Sequence, residues 1–80
     1  MKKQDTIYEG KFLMKKGRYR HFKGKEYELV DIAIHSETLE EMVVYRQLYG
    51  EGKLWVRPIK MWDEYVEYEG KKVKRFEYIG

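Results

Sequence analysis

The sequence predicts an all-β fold: a small antiparallel, strongly bent sheet or a partly open SH3-like barrel, with at most short helical turns. The 80 residues include eight tyrosines and a single alanine, Ala33, which is poor composition for a helical bundle but suits strands. Short apolar segments alternate with glycine-containing turns, as in small β domains. So small a chain buries only about 60% of its unfolded surface, so we expect aromatic rings to fill a thin core.

The first predicted pair of strands comes from residues 17–30, "GRYRHFKGKEYELV". Gly24 lies in the turn between them, because glycine tolerates a positive φ. The second strand extends to residue 35 and has Val30, Ile32 and Ile34 at every second position. This period predicts a half-buried strand with those three side chains inward.

The later elements repeat this alternation of strand and turn. Residues 42–49, "MVVYRQLY", predict a strand, "GEGK" predicts a turn, and "LWVR" at 54–57 predicts the partner strand. Pro58 ends this hairpin because it has no N–H to donate to a sheet. Residues 59–66 predict a short helical turn, and a terminal hairpin is expected around Gly70.

The net charge of +3 is confined to the amino-terminal end. Residues 1–16 contain five lysines and two acids, whereas residues 17–80 contain twelve basic and twelve acidic residues. We therefore divide the chain into a basic lead, 1–16, interpreted as a solvated and mobile terminus, and one small β domain, 17–80. The lead, together with exposed aromatics, would also suit RNA or DNA, which makes a nucleic-acid-associated protein the first alternative function.

Residue types exclude some sites and leave others unsupported. The absence of cysteine excludes disulfides and thiolate metal ligands. The two histidines, His21 and His35, match the spacing of no metal motif, so we expect no intrinsic metal and no cofactor. The sequence begins without the apolar segment of a secretory signal, and no apolar run approaches the length of a membrane span. This predicts a cytoplasmic protein without membrane contact.

A small hydrolase-like enzyme centred on His35 is the second alternative. Ser36 or Thr38 would supply the nucleophilic hydroxyl. However, neighbouring side chains on a strand point to opposite sides, and the sequence contains no Gly-x-Ser-x-Gly turn. No catalytic residue is therefore assigned, and the question of enzymatic activity stays open, with the balance against it.

The densest group of candidate binding residues is "LWVRPIKMW", residues 54–62. If Leu54 and Val56 face inward, Trp55 and Arg57 share the other face, since side chains alternate along a strand. An aromatic ring beside a guanidinium can stack on a flat group and donate a bidentate hydrogen bond to an anion. We predict a binding site here. The alternative is that Trp55 is capped by Arg57 or packs under the carboxy-terminal hairpin.

Neighbouring strands are expected to complete this site. His35 falls on the face opposite Ile34, and either Tyr45 or Arg46 must share the side of Trp55. The predicted binding residues are Trp55, Arg57, His35, Tyr45 and Arg46.

Three segments, "YRHFKGKEYELV", "HSETLEEMVVYRQLYG" and "LWVRPIKMW", resemble in this order a family of short bacterial proteins, domain of unknown function family 1653. The resemblance extends from residue 17 almost to the end of the chain. It departs from the family pattern at Trp62, where phenylalanine is expected. It implies a compact bacterial domain and brings no reaction, cofactor or substrate. From the residues themselves, Trp62 and Pro58 are interpreted as core.

Together these observations predict a small intracellular binding or adaptor module with a surface patch of tryptophan, arginine and histidine. The expected partner is a protein or a small anionic or aromatic ligand, and nucleic acid is the less favoured partner. The sequence makes no prediction of the oligomeric state.

Overall fold

The structure, a computed structural model, describes residues 6–9 and 12–80, with side chains described from Met14 onward. Short strands joined by tight turns make up most of this part of the chain. The strands are β1 Thr6–Glu9, β2 Phe12–Lys15, β3 Gly17–His21, β4 Glu26–Ile34, β5 Glu41–Gln47, β6 Leu54–Pro58, β7 Tyr65–Tyr68, β8 Lys71–Lys74 and β9 Phe76–Tyr78. One 3-10 turn, Ile59–Met61, follows β6. No helix in this part of the chain is long and apolar enough to cross a bilayer.

The central element is a five-stranded antiparallel sheet of order β6-β5-β4-β3-β9. Two hairpins, β1–β2 and β7–β8, form separate two-stranded sheets. Among the described strands β6 and β9 remain the two edges, so the sheet does not close into a barrel. The all-β, antiparallel prediction is confirmed in its open-sheet form. The expected turns exist, with Gly24 and Gly70 at φ +110° and +78°, values that glycine adopts readily.

The inward set predicted for β4 is wrong at two of its three positions. A β-bulge between Leu29 and Asp31 interrupts the alternation, so that Leu29 is 1% exposed while Val30 is 36% exposed. After the bulge Ile32 faces the core and is half-buried, as predicted. Ile34 is 54% exposed because it lies near the end of the strand, beyond the core. One inserted residue reverses the face of every side chain on one side of it.

The inward assignment of Leu54 and Val56 is also wrong. The register pairs Val56 with Val44, whereas Trp55 and Arg57 pair with the buried Tyr45 and Val43. Cross-strand partners share a face of the sheet, so Trp55 and Arg57 lie on the core side. Leu54 and Val56 are 52% and 59% exposed on the other side. The alternation along β6 is as predicted, but the sequence does not determine which face of an edge strand points toward the core.

Aromatic rings dominate the core, as expected for so small a domain. Trp62 stacks on Phe76, with ring centroids 3.8 Å apart and planes 5° from parallel. Tyr19 and Tyr45 contact Trp62 edge-on, at centroid distances of 5.2 and 5.0 Å. Trp62 is 2% exposed, so its interpretation as a core residue agrees with the structure. Aromatic pairs of this kind contribute about 0.5–1.5 kcal/mol each beyond the area they bury.

The predicted basic lead falls only partly within the described residues, since residues 1–5, 10 and 11 lie outside them. Its described part includes the β1–β2 hairpin, in which Thr6 pairs with Lys15. Met14 of this hairpin is 7% exposed and belongs to the core cluster. The boundary between lead and domain stays a prediction.

Candidate functional site: the Trp55 pocket

A pocket of about 240 Å³ opens at the margin of the core, where β4, β5 and β6 present one face. Its lining residues are Tyr27, Tyr45, Tyr49, Trp55 and Arg57. Strand pairing positions them, since Trp55 lies directly opposite Tyr45. Tyr27 occupies the core side of β4, two residues before the buried Leu29. The pocket therefore has walls of four aromatic rings and one cationic side chain.

The indole ring of Trp55 is fixed in place although it is 49% exposed. Its Nε1–H donates a hydrogen bond of 2.6 Å to Oε1 of Gln47. The amide Nε2 of Gln47 in turn donates to the carbonyl oxygen of Tyr49 at 3.2 Å. These bonds orient the ring before any ligand arrives, which lowers the entropic cost of binding.

Arg57 carries the charge of the pocket. Its Nε–H donates to the Tyr45 hydroxyl and its Nη1–H to the carbonyl oxygen of Met61, both at 3.4 Å. The guanidinium also lies 5.4 Å from the centroid of the Phe76 ring. Both hydrogen bonds are long, and within residues 14–80 no carboxylate forms an ion pair with Arg57. The cation is therefore held by neutral groups and keeps donors for an external anion.

The phenol of Tyr27 contributes no negative charge to the pocket at neutral pH. The hydroxyls of Tyr27 and Tyr49 lie 2.7 Å apart and share a hydrogen bond. Burial, followed by this hydrogen bond, raises the pKa of Tyr27 to about 12. Lys25 lies outside the pocket lining, with its ammonium 4.5 Å from the centroid of the Tyr49 ring. The electrostatic character of the pocket is consequently that of Arg57.

The structure brings together three of the five residues predicted from the sequence: Trp55, Arg57 and Tyr45. Arg46 is not among the lining residues. It pairs with Leu54 on the opposite face of the sheet, and its Nη1–H donates to the carbonyl oxygen of Gly52 at 2.8 Å. Because Tyr45 and Arg46 are adjacent in one strand, only one of them can share the side of Trp55.

His35 lies in the turn that joins β4 and β5 and is not among the lining residues. Its Nδ1 accepts hydrogen bonds from the backbone N–H groups of Glu37 and Thr38, at 3.1 and 3.3 Å. The hydroxyl of Thr38 accepts from the backbone N–H of Glu40 at 3.2 Å. These side chains stabilise the turn.

Sequence reasoning missed Tyr27 and Tyr49. Tyr27 lies two residues before Leu29 and therefore shares its face of β4. The sequence does not reveal the bulge, so it does not show that this face, rather than the face of Val30, points toward the core. Tyr49 follows the end of β5, where strand alternation gives no direction. For metals, the residues with described side chains include no group of three or more histidine, cysteine or acidic residues that could hold an ion.

The open five-stranded sheet, the aromatic core and the pocket at its margin define the class of this protein as a small all-β domain that includes two further two-stranded hairpins. The chain belongs to the family described as protein of unknown function (DUF1653), whose family model matches residues 17–78. The crystal structure of a DUF1653 protein from Bordetella bronchiseptica is 35% identical to it, with a TM-score of 0.78. That match covers 84% of this chain and 88% of the Bordetella chain. No curated protein matches this chain. The family resemblance inferred from the sequence is thus confirmed.

Proposed function

We propose that the protein is a binding module and that the Trp55 pocket receives one flat, anionic group of its partner. One observation supports this most: the guanidinium of Arg57 stands among aromatic rings without an ion-pair partner in the described chain. A half-buried cation in such surroundings is stabilised by an external anion. Tryptophan and arginine are also enriched among the residues that dominate binding energies.

The size of the pocket limits what it can receive. Sites for cofactors and drug-sized ligands span about 300–1,000 Å³. At about 240 Å³ this pocket suits a single chemical group, such as a carboxylate attached to a ring, rather than a whole cofactor. Binding of one chemical group is consistent with an adaptor that recognises a protein or a small ligand.

The sign of the ligand follows from Arg57. Pockets walled by aromatic rings often hold cations, because the face of each ring is electronegative. Here the guanidinium supplies a positive charge within the lining, so a ligand cation would be repelled. An anion with a flat body would satisfy both the rings and Arg57.

The free edge of β6 provides further room for a protein partner. β6 is the outermost strand, and its outer side pairs with no described strand. The backbone N–H of Gln47 donates to the carbonyl oxygen of Lys53, so the antiparallel ladder directs the amides of Leu54 and Val56 outward. An extended segment added there would project alternate side chains onto the side of the pocket.

The proposal is tested by following ¹⁵N-labelled protein by NMR during titration with small probes. Benzoate is flat and anionic, acetate is anionic without a ring, benzyl alcohol is flat and neutral, and benzylamine is flat and cationic. We expect benzoate to shift the Trp55 Nε1–H and Arg57 Nε–H signals at the lowest concentration. Benzylamine should leave them unchanged.

Matched variants separate the pocket from the general surface. Trp55→Ala and Arg57→Gln should abolish the benzoate shifts, whereas Leu54→Ala and Arg46→Gln, on the opposite face, should retain them. Equal responses to benzoate and benzylamine, or unchanged binding in both pocket variants, would show that the Trp55 pocket is not a binding site.

A further inference from the structure

A second and larger cavity, of about 400 Å³, lies on another side of the molecule. One wall comes from β3 and the residues after it, including Arg20 and Phe22, and the other from the β7–β8 hairpin. The edge of the Phe22 ring packs on Tyr68, with centroids 5.1 Å apart. The backbone N–H of Phe22 also donates to the carbonyl oxygen of Arg75 at 2.9 Å. The groove shares no lining residue with the Trp55 pocket and falls in the usual size range of ligand sites.

Strand β8 of the hairpin, together with the residue after it, carries a concentration of positive charge. Residues 71–75, "KKVKR", contain four cationic side chains among five residues. In the register of the hairpin Lys74 lies opposite Tyr65, and Lys72 lies two residues before Lys74 on the same face. The two lysines are thus roughly 7 Å apart along the strand, about the separation of successive phosphates in a single strand of nucleic acid.

An aromatic surface accompanies these cations. Tyr65 is 61% exposed, and the ammonium of Lys74 lies 5.7 Å from the centroid of its ring. A nucleic-acid base can stack on the Tyr65 ring, and the phosphates on either side of it can form ion pairs with Lys72 and Lys74. This combination distinguishes nucleic acid from an acidic peptide, which has charge but no series of flat rings.

Acidic residues near the groove neutralise it only in part. Asp63 pairs with Lys74 at 3.0 Å and Glu26 with Arg20 at 3.6 Å, and these side chains are between about one third and one half exposed. Exposed ion pairs contribute at most about 1 kcal/mol, so a phosphate can compete with them. Glu77 is the acid in the lining, and Glu67 lies opposite Lys72 in the hairpin register, although Lys72 forms no ion pair in the described chain.

Cationic side chains act on His21, a residue of the groove lining. His21 lines the groove, and its pKa is lowered, first by burial and then by the cationic Arg75, Arg57 and Lys23 nearby. The imidazole is therefore held neutral, and the local field favours an approaching anion.

We propose that this groove binds a short segment of single-stranded nucleic acid, with a base stacked on Tyr65 and adjacent phosphates at Lys72 and Lys74. Arg20 faces the same segment from the opposite wall. This assigns nucleic-acid binding to the β7–β8 hairpin rather than to the basic amino-terminal residues, and it is independent of the function proposed for the Trp55 pocket.

Fluorescence anisotropy of a labelled twelve-nucleotide oligouridine tests the proposal. We expect the wild-type protein to bind with an affinity that falls as salt rises. Lys72→Gln should weaken binding several-fold and flatten the slope of log affinity against log salt by about 0.7, the value for one phosphate contact on a single strand. Tyr65→Leu should weaken binding at least about five-fold, while Tyr65→Phe, which keeps the ring, should bind nearly as wild type.

The matched control is Lys53→Gln, which removes the same charge from the exposed β5–β6 turn. It should leave affinity and slope nearly unchanged, and so should Trp55→Ala. The proposal is overturned if oligouridine does not bind at low salt, if Lys72→Gln and Lys53→Gln behave alike, or if Tyr65→Leu binds as wild type. Displacement by polyglutamate as efficient, charge for charge, as by unlabelled oligouridine would also overturn it, because the groove would then recognise charge alone.

Discussion

The two tryptophans, seven residues apart, occupy opposite kinds of environment. Trp62 is 2% exposed and stacks on Phe76, yet its indole N–H has no hydrogen-bond partner in the described chain. Trp55 is 49% exposed, and its indole N–H is bonded to Gln47. The buried ring thus leaves its polar atom unsatisfied, while the exposed ring is held by its polar atom.

This difference shows how one residue type can serve the core and a pocket within one short stretch. The 3-10 turn at Ile59–Met61 reverses the chain after Pro58 and directs Trp62 into the core. Trp55 precedes that turn on the edge strand, whose outer side pairs with none of the described strands. A ring needed only for packing would not require a fixed orientation at the surface, so the bond to Gln47 fits a role in recognition.

The largest expected contrast comes from truncating each tryptophan. Trp62→Ala should lower the free energy of unfolding by about 3–5 kcal/mol, because it opens a cavity among stacked rings. Trp55→Ala should cost about 1 kcal/mol, since a half-exposed side chain loses one hydrogen bond and limited packing. Urea denaturation of both variants measures the contrast. Similar losses in the two proteins would mean that Trp55 is also a core residue.

A milder substitution examines the unsatisfied indole. Trp62→Phe removes the buried N–H, which lacks a partner, and retains a ring that can stack on Phe76. We expect a loss below about 1.5 kcal/mol, since relief from the unsatisfied donor offsets part of the lost volume. The thermal midpoint of this variant should lie much nearer to the wild type than to Trp62→Ala. A loss as large as that of alanine would show that the indole shape itself is essential.

The smallest effect concerns the protonation of the pocket. The pKa of Tyr27 is raised from 10.0 to about 12 in the folded protein. Between about pH 10 and pH 12 the folded state therefore keeps a proton that the unfolded state releases. The contribution of Tyr27 to the free energy of unfolding is complete below about pH 10 and is lost as the pH rises toward 12. Urea midpoints measured between about pH 9 and pH 11 should fall less steeply in Tyr27→Phe than in the wild type. If the urea midpoints of the two proteins fell equally with pH, the Tyr27 hydroxyl would not be desolvated and hydrogen-bonded in the folded protein.

Periodicity and turn residues predicted the type of fold but not the direction of each face. Gly24, Gly70 and Pro58 act locally, so the turns and the end of β6 were readable. The bulge after Leu29 was not, because it depends on how β4 pairs with β5 over a long sequence separation.

The same limit applied to the candidate site. The alternation of "LWVR" correctly placed Trp55 and Arg57 on one side, while only the register with β5 shows that this side adjoins the core. The net charge does not indicate the cationic segment "KKVKR", because the charge of residues 17–80 sums to zero. A sum conceals how opposite charges are distributed over a surface.

We propose that Trp55 recognises a ligand, whereas Trp62 packs in the core. The most direct measurement is a benzoate titration of folded, ¹⁵N-labelled Trp55→Ala, monitored at the Arg57 Nε–H signal. We expect a protein with near-wild-type amide dispersion, in which this signal no longer moves with benzoate. A benzoate response equal to that of the wild type, or a Trp55→Ala protein that fails to fold, would contradict it.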